Sequence, residues 1–159
     1  MFDLLKKDYS VISPTSGKVL ELSEVPDEVF ANKLAGDGVA IDCSGDTIVS
    51  PADGVLTIIF RTNHAFAITL DNGVEILVHI GIDTIQVDGE GFQRIAQEGS
   101  RVKAGDPIIK IDREVIKEKG FSLITPVLIV NGDRVKNIDK NVGVNVLAGE
   151  DIIFTYKTK

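Results

Sequence analysis

The chain has 159 residues, with 17 basic and 24 acidic side chains, a formal charge of -7, 43% hydrophobic residues and a single cysteine. This length sustains one domain with its own core, and the apolar content is too high for a disordered chain. The negative charge, with basic residues scattered singly, argues against nucleic acid and anionic lipid as partners, and Cys43 alone forms no internal disulfide.

The opening Met1-Phe2-Asp3-Leu4-Leu5-Lys6-Lys7 carries charges too early for a signal peptide, and no later apolar run approaches membrane-spanning length. A cytoplasmic protein without membrane insertion is expected: one domain over residues 1–159, with 1–10 as a flexible segment. From there the chain runs as short stretches rich in Val and Ile, punctuated by 15 glycines and five prolines, the pattern of an antiparallel β-protein. Strands are expected over residues 17–22, 38–42, 47–50, 54–61, 65–70, 74–80, 107–111, 126–130 and 151–156. Three segments read as helical turns: 27–33, 91–97 and 112–119. In the second, Phe92, Ile95 and Ala96 keep helical spacing; the third has Asp112 as its N-cap and Gly120 as its stop.

Two short echoes run through this pattern. Ser13-Pro14-Thr15-Ser16-Gly17 returns as Ser50-Pro51-Ala52-Asp53-Gly54, and Val102-Lys103-Ala104-Gly105-Asp106 returns as Val146-Leu147-Ala148-Gly149-Glu150. They point to a duplicated β-unit whose glycines serve tight turns. Cys43 has no basic neighbour in sequence and reads as a small packing residue.

His64 and His79 are the only imidazoles, and the strands that carry them flank Asp71-Asn72-Gly73. Asn-Gly is a strong signal for a two-residue hairpin loop. Such a loop sets Phe66 opposite His79 and His64 opposite Gly81, so His64, Phe66, Leu77 and His79 share one face, with the histidines diagonal neighbours about 7 to 8 Å apart. A three-residue loop slips the register by one and splits the histidines unless a bulge restores it. A neutral imidazole pair with a pKa near 6.5 can attack phosphorus or bind a metal. If His79 gives one N–H to a carbonyl near Gly81, its other nitrogen is free to attack, His64 can donate to phosphoryl oxygens, and Phe66 and Leu77 exclude water. Two other readings stand beside this one. His64, His79 and Asp83 can be read as zinc ligands in a hydrolase, although a third histidine is missing. The turns also resemble those of biotin- and lipoate-carrier domains, without a Met-Lys motif at a hairpin tip.

The motifs Thr62-Asn63-His64-Ala65-Phe66 and Val78-His79-Ile80-Gly81-Ile82-Asp83-Thr84 resemble those of the glucose-family enzyme IIA of the bacterial sugar phosphotransferase system. Val25-Pro26-Asp27, Gly36-Asp37-Gly38 and Gly89-Glu90-Gly91-Phe92 extend the likeness over nearly the whole chain. The resemblance implies an antiparallel β-sandwich with Greek-key features, a duplicated barrel-sandwich hybrid. It implies a cofactor-free, metal-free phosphocarrier, a phosphotransferase taking a phosphoryl group from HPr and passing it to the cysteine of a IIB domain in a glucose-type transporter. By the same resemblance, His79 is phosphorylated at Nε2, His64 stabilises the phosphoryl group, Thr62 orients His64, the Gly81 carbonyl sets the His79 tautomer, and Asp83 lies at the rim. Val29, Phe30, Phe60, Phe66, Leu77 and Ile85 map onto the family's apolar docking patch. Leu77 stands where an aromatic is common and Glu28 sits beside Val29, departures that bear on partner preference. The chain is expected to act as a monomer, and regulation of other proteins by phosphorylation-dependent docking is a further family role.

Overall fold

A computed structural model of the chain describes residues 8–159. Among these residues are fourteen strands and two short α-helices. The first half holds β1 (Tyr9–Ile12), β2 (Gly17–Leu20), α1 (Glu28–Ala31), β3 (Asp37–Cys43), β4 (Thr47–Val49), β5 (Gly54–Ile59), β6 (Ala65–Thr69) and β7 (Glu75–His79). The second holds β8 (Phe92–Arg94), β9 (Arg101–Val102), β10 (Pro107–Ile111), α2 (Arg113–Glu118), β11 (Ile124–Ile129), β12 (Val135–Lys140), β13 (Asn145–Val146) and β14 (Ile152–Thr158). They form an antiparallel β-sandwich. A curled eight-stranded sheet has the order β13-β2-β3-β11-β7-β6-β5-β9, and two three-stranded sheets, β1-β14-β12 and β4-β10-β8, complete it.

Alternation along β3, β11, β7 and β6 sorts their side chains between two clusters. Val39, Val127, Val78 and Phe66 come into line across the sheet and face the main core, with Ile41, Ile129, Ile76 and Ile68 beside them. Ala40, Leu128 and Leu77 point the other way, where Leu22, Val25, Phe30 and Ile82 cover them in a smaller cluster. This second cluster floors the surface on which the histidines sit. Gly38 permits the close approach of β3 to β11, since a Cβ there would lie 2.0 Å from the Val127 carbonyl oxygen.

The repeated motifs occupy equivalent places. Ser13 and Ser50 each donate to the carbonyl two residues on, and the carbonyls of Ser50 and Ser13 accept from Gly105 and Gly149 respectively, both at 2.9 Å. The duplicated unit is therefore visible as hydrogen bonding.

Several expectations need correction. Residues 91–97 are not a helical turn: Phe92–Arg94 is β8, with Arg94 opposite Ile109 and Phe92 opposite Ile111, and Ile108 accepts from Ile95 and Ala96. Three apolar residues at helical spacing do not nucleate a helix when a neighbouring strand can take the backbone groups. The expected flexible segment 1–10 overlaps β1, in which Tyr9 pairs with Tyr156 and Ser10 with Thr155; residues 1–7 lie outside the described residues. The other two helical turns form, α1 capped by Asp27 and α2 by Asp112. Cys43 is buried with its Sγ 3.0 Å from Thr15 Oγ1, and burial pushes the thiol pKa up, which suits packing rather than nucleophilic attack. No helix among the described residues is long and apolar enough to cross a membrane.

Candidate active site

His79 ends β7, and His64 immediately precedes β6 at the same end of the hairpin. The loop between these strands has three residues, Asp71-Asn72-Gly73: Leu70 and Val74 close it with a 2.9 Å bond, and Gly73 has φ +86°. Asn72 spends its side chain accepting from Val74 N and donating to the Tyr156 hydroxyl. This fixes a register in which Ala65, not Phe66, faces His79, and Phe66 faces Val78. Phe66 is therefore 0% exposed in the main core and lies on neither the histidine face nor the docking patch expected of it.

The slipped register does not separate the histidines, because His64 lies outside the strand. Asn63 takes a left-handed conformation at φ +62°, and the turn from Phe60 closes through Asn63 N to Phe60 O at 2.7 Å. Alternation binds only residues within a strand, so the turn brings the His64 ring over to His79. Their centroids are 5.1 Å apart at 76°, and Ile80 N donates to the His64 carbonyl at 2.7 Å.

Each imidazole is held through Nδ1. His79 Nδ1 lies 2.8 Å from the Gly81 carbonyl oxygen, which can only accept, so Nδ1 carries the proton and the Nε2 lone pair is free. His64 Nδ1 lies 2.6 Å from Thr62 Oγ1. Phe30 tilts against the His79 ring at 5.1 Å, and Phe60 meets His64 edge-on at 5.4 Å. Val29 and Ile85 stand exposed at 49% and 59%, Phe60 and Leu77 are half-buried, and Asp83 is exposed with φ +59°. No group of three or more His, Cys, Asp or Glu side chains among the described residues is arranged to hold a metal ion, so the three-ligand zinc set is not assembled.

Burial lowers the proton affinity of both rings. His64, only 2% exposed, is pushed down to about 4, first by desolvation and then by His79. His79 is also lowered by burial, but its bond to the Gly81 carbonyl and the charges of Asp27 and Asp83 oppose the shift. Folding stability should follow. An unfolded His64 titrates near 6.5, so its contribution is complete above that pH, falls as pH drops toward 4 and then levels off. At pH 5 the loss is about 2 kcal/mol. Urea unfolding at pH 7.5 and pH 5 should therefore show a smaller acid loss for His64→Gln than for the wild type; equal losses would contradict the buried neutral ring.

Sequence reasoning missed Asp27 as an electrostatic partner of His79 and read it as part of a helical turn and of the Val25-Pro26-Asp27 motif. Its carboxylate both caps α1, accepting from Val29 N and Phe30 N, and raises the proton affinity of His79. Asp27→Asn separates these roles, since asparagine caps as well as aspartate. NMR titration should show His79 protonating at lower pH in this variant with α1 intact, whereas an unmoved midpoint would remove Asp27 from the electrostatics. Thr84 and Thr125 were missed as well; they bond to the turn after His79, and Thr125 is 44 positions from Gly81, beyond any local spacing.

A β-sandwich that presents one free imidazole nitrogen beside a second, neutral imidazole, among apolar side chains, is built for histidine-based group transfer. The family model for the phosphoenolpyruvate-dependent sugar phosphotransferase system, EIIA 1, matches residues 9–135. The glucose-specific EIIA component of Haemophilus influenzae is 45% identical over 150 residues, covering 94% of this chain and 90% of that protein. The N-acetylglucosamine-specific EIICBA component of Klebsiella pneumoniae is 41% identical over 150 residues, 94% of this chain but 23% of that longer protein. Among solved structures, the glucose permease IIA from Mycoplasma capricolum superposes with a TM-score of 0.88 at 35% identity, covering 95% of this chain and 97% of that one. The chain belongs to the EIIA 1 family of the phosphoenolpyruvate-dependent sugar phosphotransferase system. It is a phosphocarrier, a phosphotransferase component that relays phosphoryl groups from HPr to a IIB domain during sugar uptake.

Proposed function

We propose that His79 carries the phosphoryl group on Nε2, taking it from phospho-HPr and delivering it to the cysteine of a IIB domain in a glucose-type transporter. The observation that carries this reading is the Nδ1 bond of His79 to the Gly81 carbonyl, because it leaves the Nε2 lone pair as the nucleophile. In the forward step Nε2 bonds to phosphorus as the donor's N–P bond breaks, and that electron pair returns to the donor ring. The His79 ring becomes cationic, with its Nδ1–H donating to the Gly81 carbonyl and the charges of Asp27 and Asp83 nearby. In the second step the cysteine thiolate attacks phosphorus, and the N–P electrons return to Nε2.

His64 is neutral near pH 7, and with the Thr62 hydroxyl donating to its Nδ1, its Nε2–H is free to donate to a phosphoryl oxygen. Val29 and Ile85, with Phe30, Phe60 and Leu77 about the rings, make the apolar face on which HPr and IIB dock in turn, and Asp83 is at its rim. A face that must open to two partners suits a cytoplasmic monomer. The glucose-specific relatives support a glucose-type transporter, and the EIICBA relative supports a IIB partner. Phosphorylation puts about two negative charges amid this apolar face, so docking of any regulated protein will depend on phosphorylation state.

Incubation with phosphoenolpyruvate, enzyme I and HPr should yield acid-labile, alkali-stable phosphate on the chain, mapping to the peptide that contains His79. Phosphate on the His64 peptide instead would overturn the reading.

A further inference from the structure

The Gly81 carbonyl can select the His79 tautomer only if its own direction is fixed, and the turn after β7 lacks strand pairing to fix it. Two successive peptide planes are each held at both ends. In the Ile80–Gly81 peptide, the Ile80 carbonyl accepts from Thr84 Oγ1 at 2.5 Å, and the Gly81 N–H reaches Thr125 Oγ1 on β11 in a long bond of 3.4 Å. In the Gly81–Ile82 peptide, the Ile82 N–H donates to the Ser122 carbonyl at 3.1 Å, and the Gly81 carbonyl accepts from His79 Nδ1 at 2.8 Å.

Both threonines are 0% exposed, and they are two of only six buried polar or charged residues among those described. Thr125 commits its own proton to the Leu123 carbonyl at 2.9 Å, which leaves its oxygen to accept from Gly81. Gly81 itself is buried, and its φ is +78°, a conformation that glycine adopts without strain. A Cβ there would lie 2.6 Å from both the Ser122 carbonyl oxygen and Thr84 Cγ2, so the turn is packed against its clamps.

We propose that Thr84 and Thr125 are positioning residues for phosphoryl transfer: their buried hydroxyls fix the Ile80–Gly81 peptide plane, the footing from which the next plane, tied at Ile82 to the Ser122 carbonyl, carries the Gly81 carbonyl to His79 Nδ1. The proposal rests on His79 as the phosphoryl acceptor. Neither threonine touches the reacting atoms. Each acts through the turn, and the quantity it controls is which nitrogen of His79 carries the proton.

That quantity can be read without any phosphoryl group. Long-range 1H–15N spectra of the unphosphorylated protein should show His79 wholly as the Nδ1–H tautomer in the wild type and as a mixture of tautomers in Thr125→Val and Thr84→Val. Valine keeps the shape and removes the hydroxyl, whereas Thr125→Ser and Thr84→Ser keep the hydroxyl and should restore the single tautomer. Phosphoryl uptake from HPr in the valine variants should fall by on the order of tenfold, less than the roughly 10²-fold associated with a 1 Å misplacement. Wild-type tautomer and rate in both valine variants would overturn the proposal, and so would serine variants that behave like valine, since the effect would then be packing. Should one valine variant fail to fold, the other valine variant and the two serine variants still decide. Failure of the His79 assignment is a separate result, read from labelling of His79→Ala and independent of the tautomer spectra.

Discussion

Replacing His79 with alanine is expected to reduce phosphate labelling by enzyme I and HPr to background while leaving the fold intact. The ring stands half-buried at the end of β7, outside the main core, so its loss should cost about 1 kcal/mol or less of stability. Circular dichroism and urea unfolding would verify that. His64 is not expected to take over the acceptor role: its ring is only 2% exposed and is held through Nδ1 by Thr62 in the mouth of a tight turn. Labelling of His79→Ala at the wild-type rate would end the assignment of His79.

The second large effect concerns His64→Gln, which should still accept phosphate from HPr but pass it to IIB poorly. The two transfers differ in charge. In the first, the attacking His79 is a neutral ring. In the second the attacker is a thiolate, which brings an added negative charge toward the phosphoryl oxygens. His64 is 5.1 Å from His79 between ring centroids, and a phosphoryl dianion on His79 raises its proton affinity, so it can become cationic and offset that charge. Glutamine can donate an N–H but cannot take up the proton. A loss on the order of 10²-fold in transfer to IIB is expected, the size associated with losing one electrostatic contact to a developing anion. Single-turnover measurement of both half-reactions tests this, and unchanged transfer to IIB would take His64 out of the mechanism.

The strand framework was largely legible because Val- and Ile-rich runs between glycines and prolines announce a two-residue period. Residues 107–111 match β10 to the residue, and residues 65–70 overrun β6 by one. The strands β1, β8, β9, β12 and β13 were not legible; each is fixed by its partner, as Tyr9 is by Tyr156 and Asn145 by Lys18. The segment 91–97 shows the cost of reading a period from three residues, since the neighbouring β10 took its backbone.

The site divides along the same line. His79 and His64, the Asn-Gly hairpin between them and the motifs around each imidazole lie within single stretches of chain, so the sequence by itself determined the chemistry available. Whether the rings meet was decided elsewhere. Asn72 is drawn into a bond with Tyr156, 84 positions away, the loop takes three residues, and Phe66 turns into the core; the turn at Asn63 then frees His64 from the strand and returns it to His79. Asp27 and Thr125 belong to this second class, whereas Thr84 lies four positions from Ile80 in the motif around His79. The influence of Asp27 and Thr125 on His79 depends on through-space charge and on a buried peptide finding an acceptor across the sheet, and neither leaves a periodic mark on the sequence.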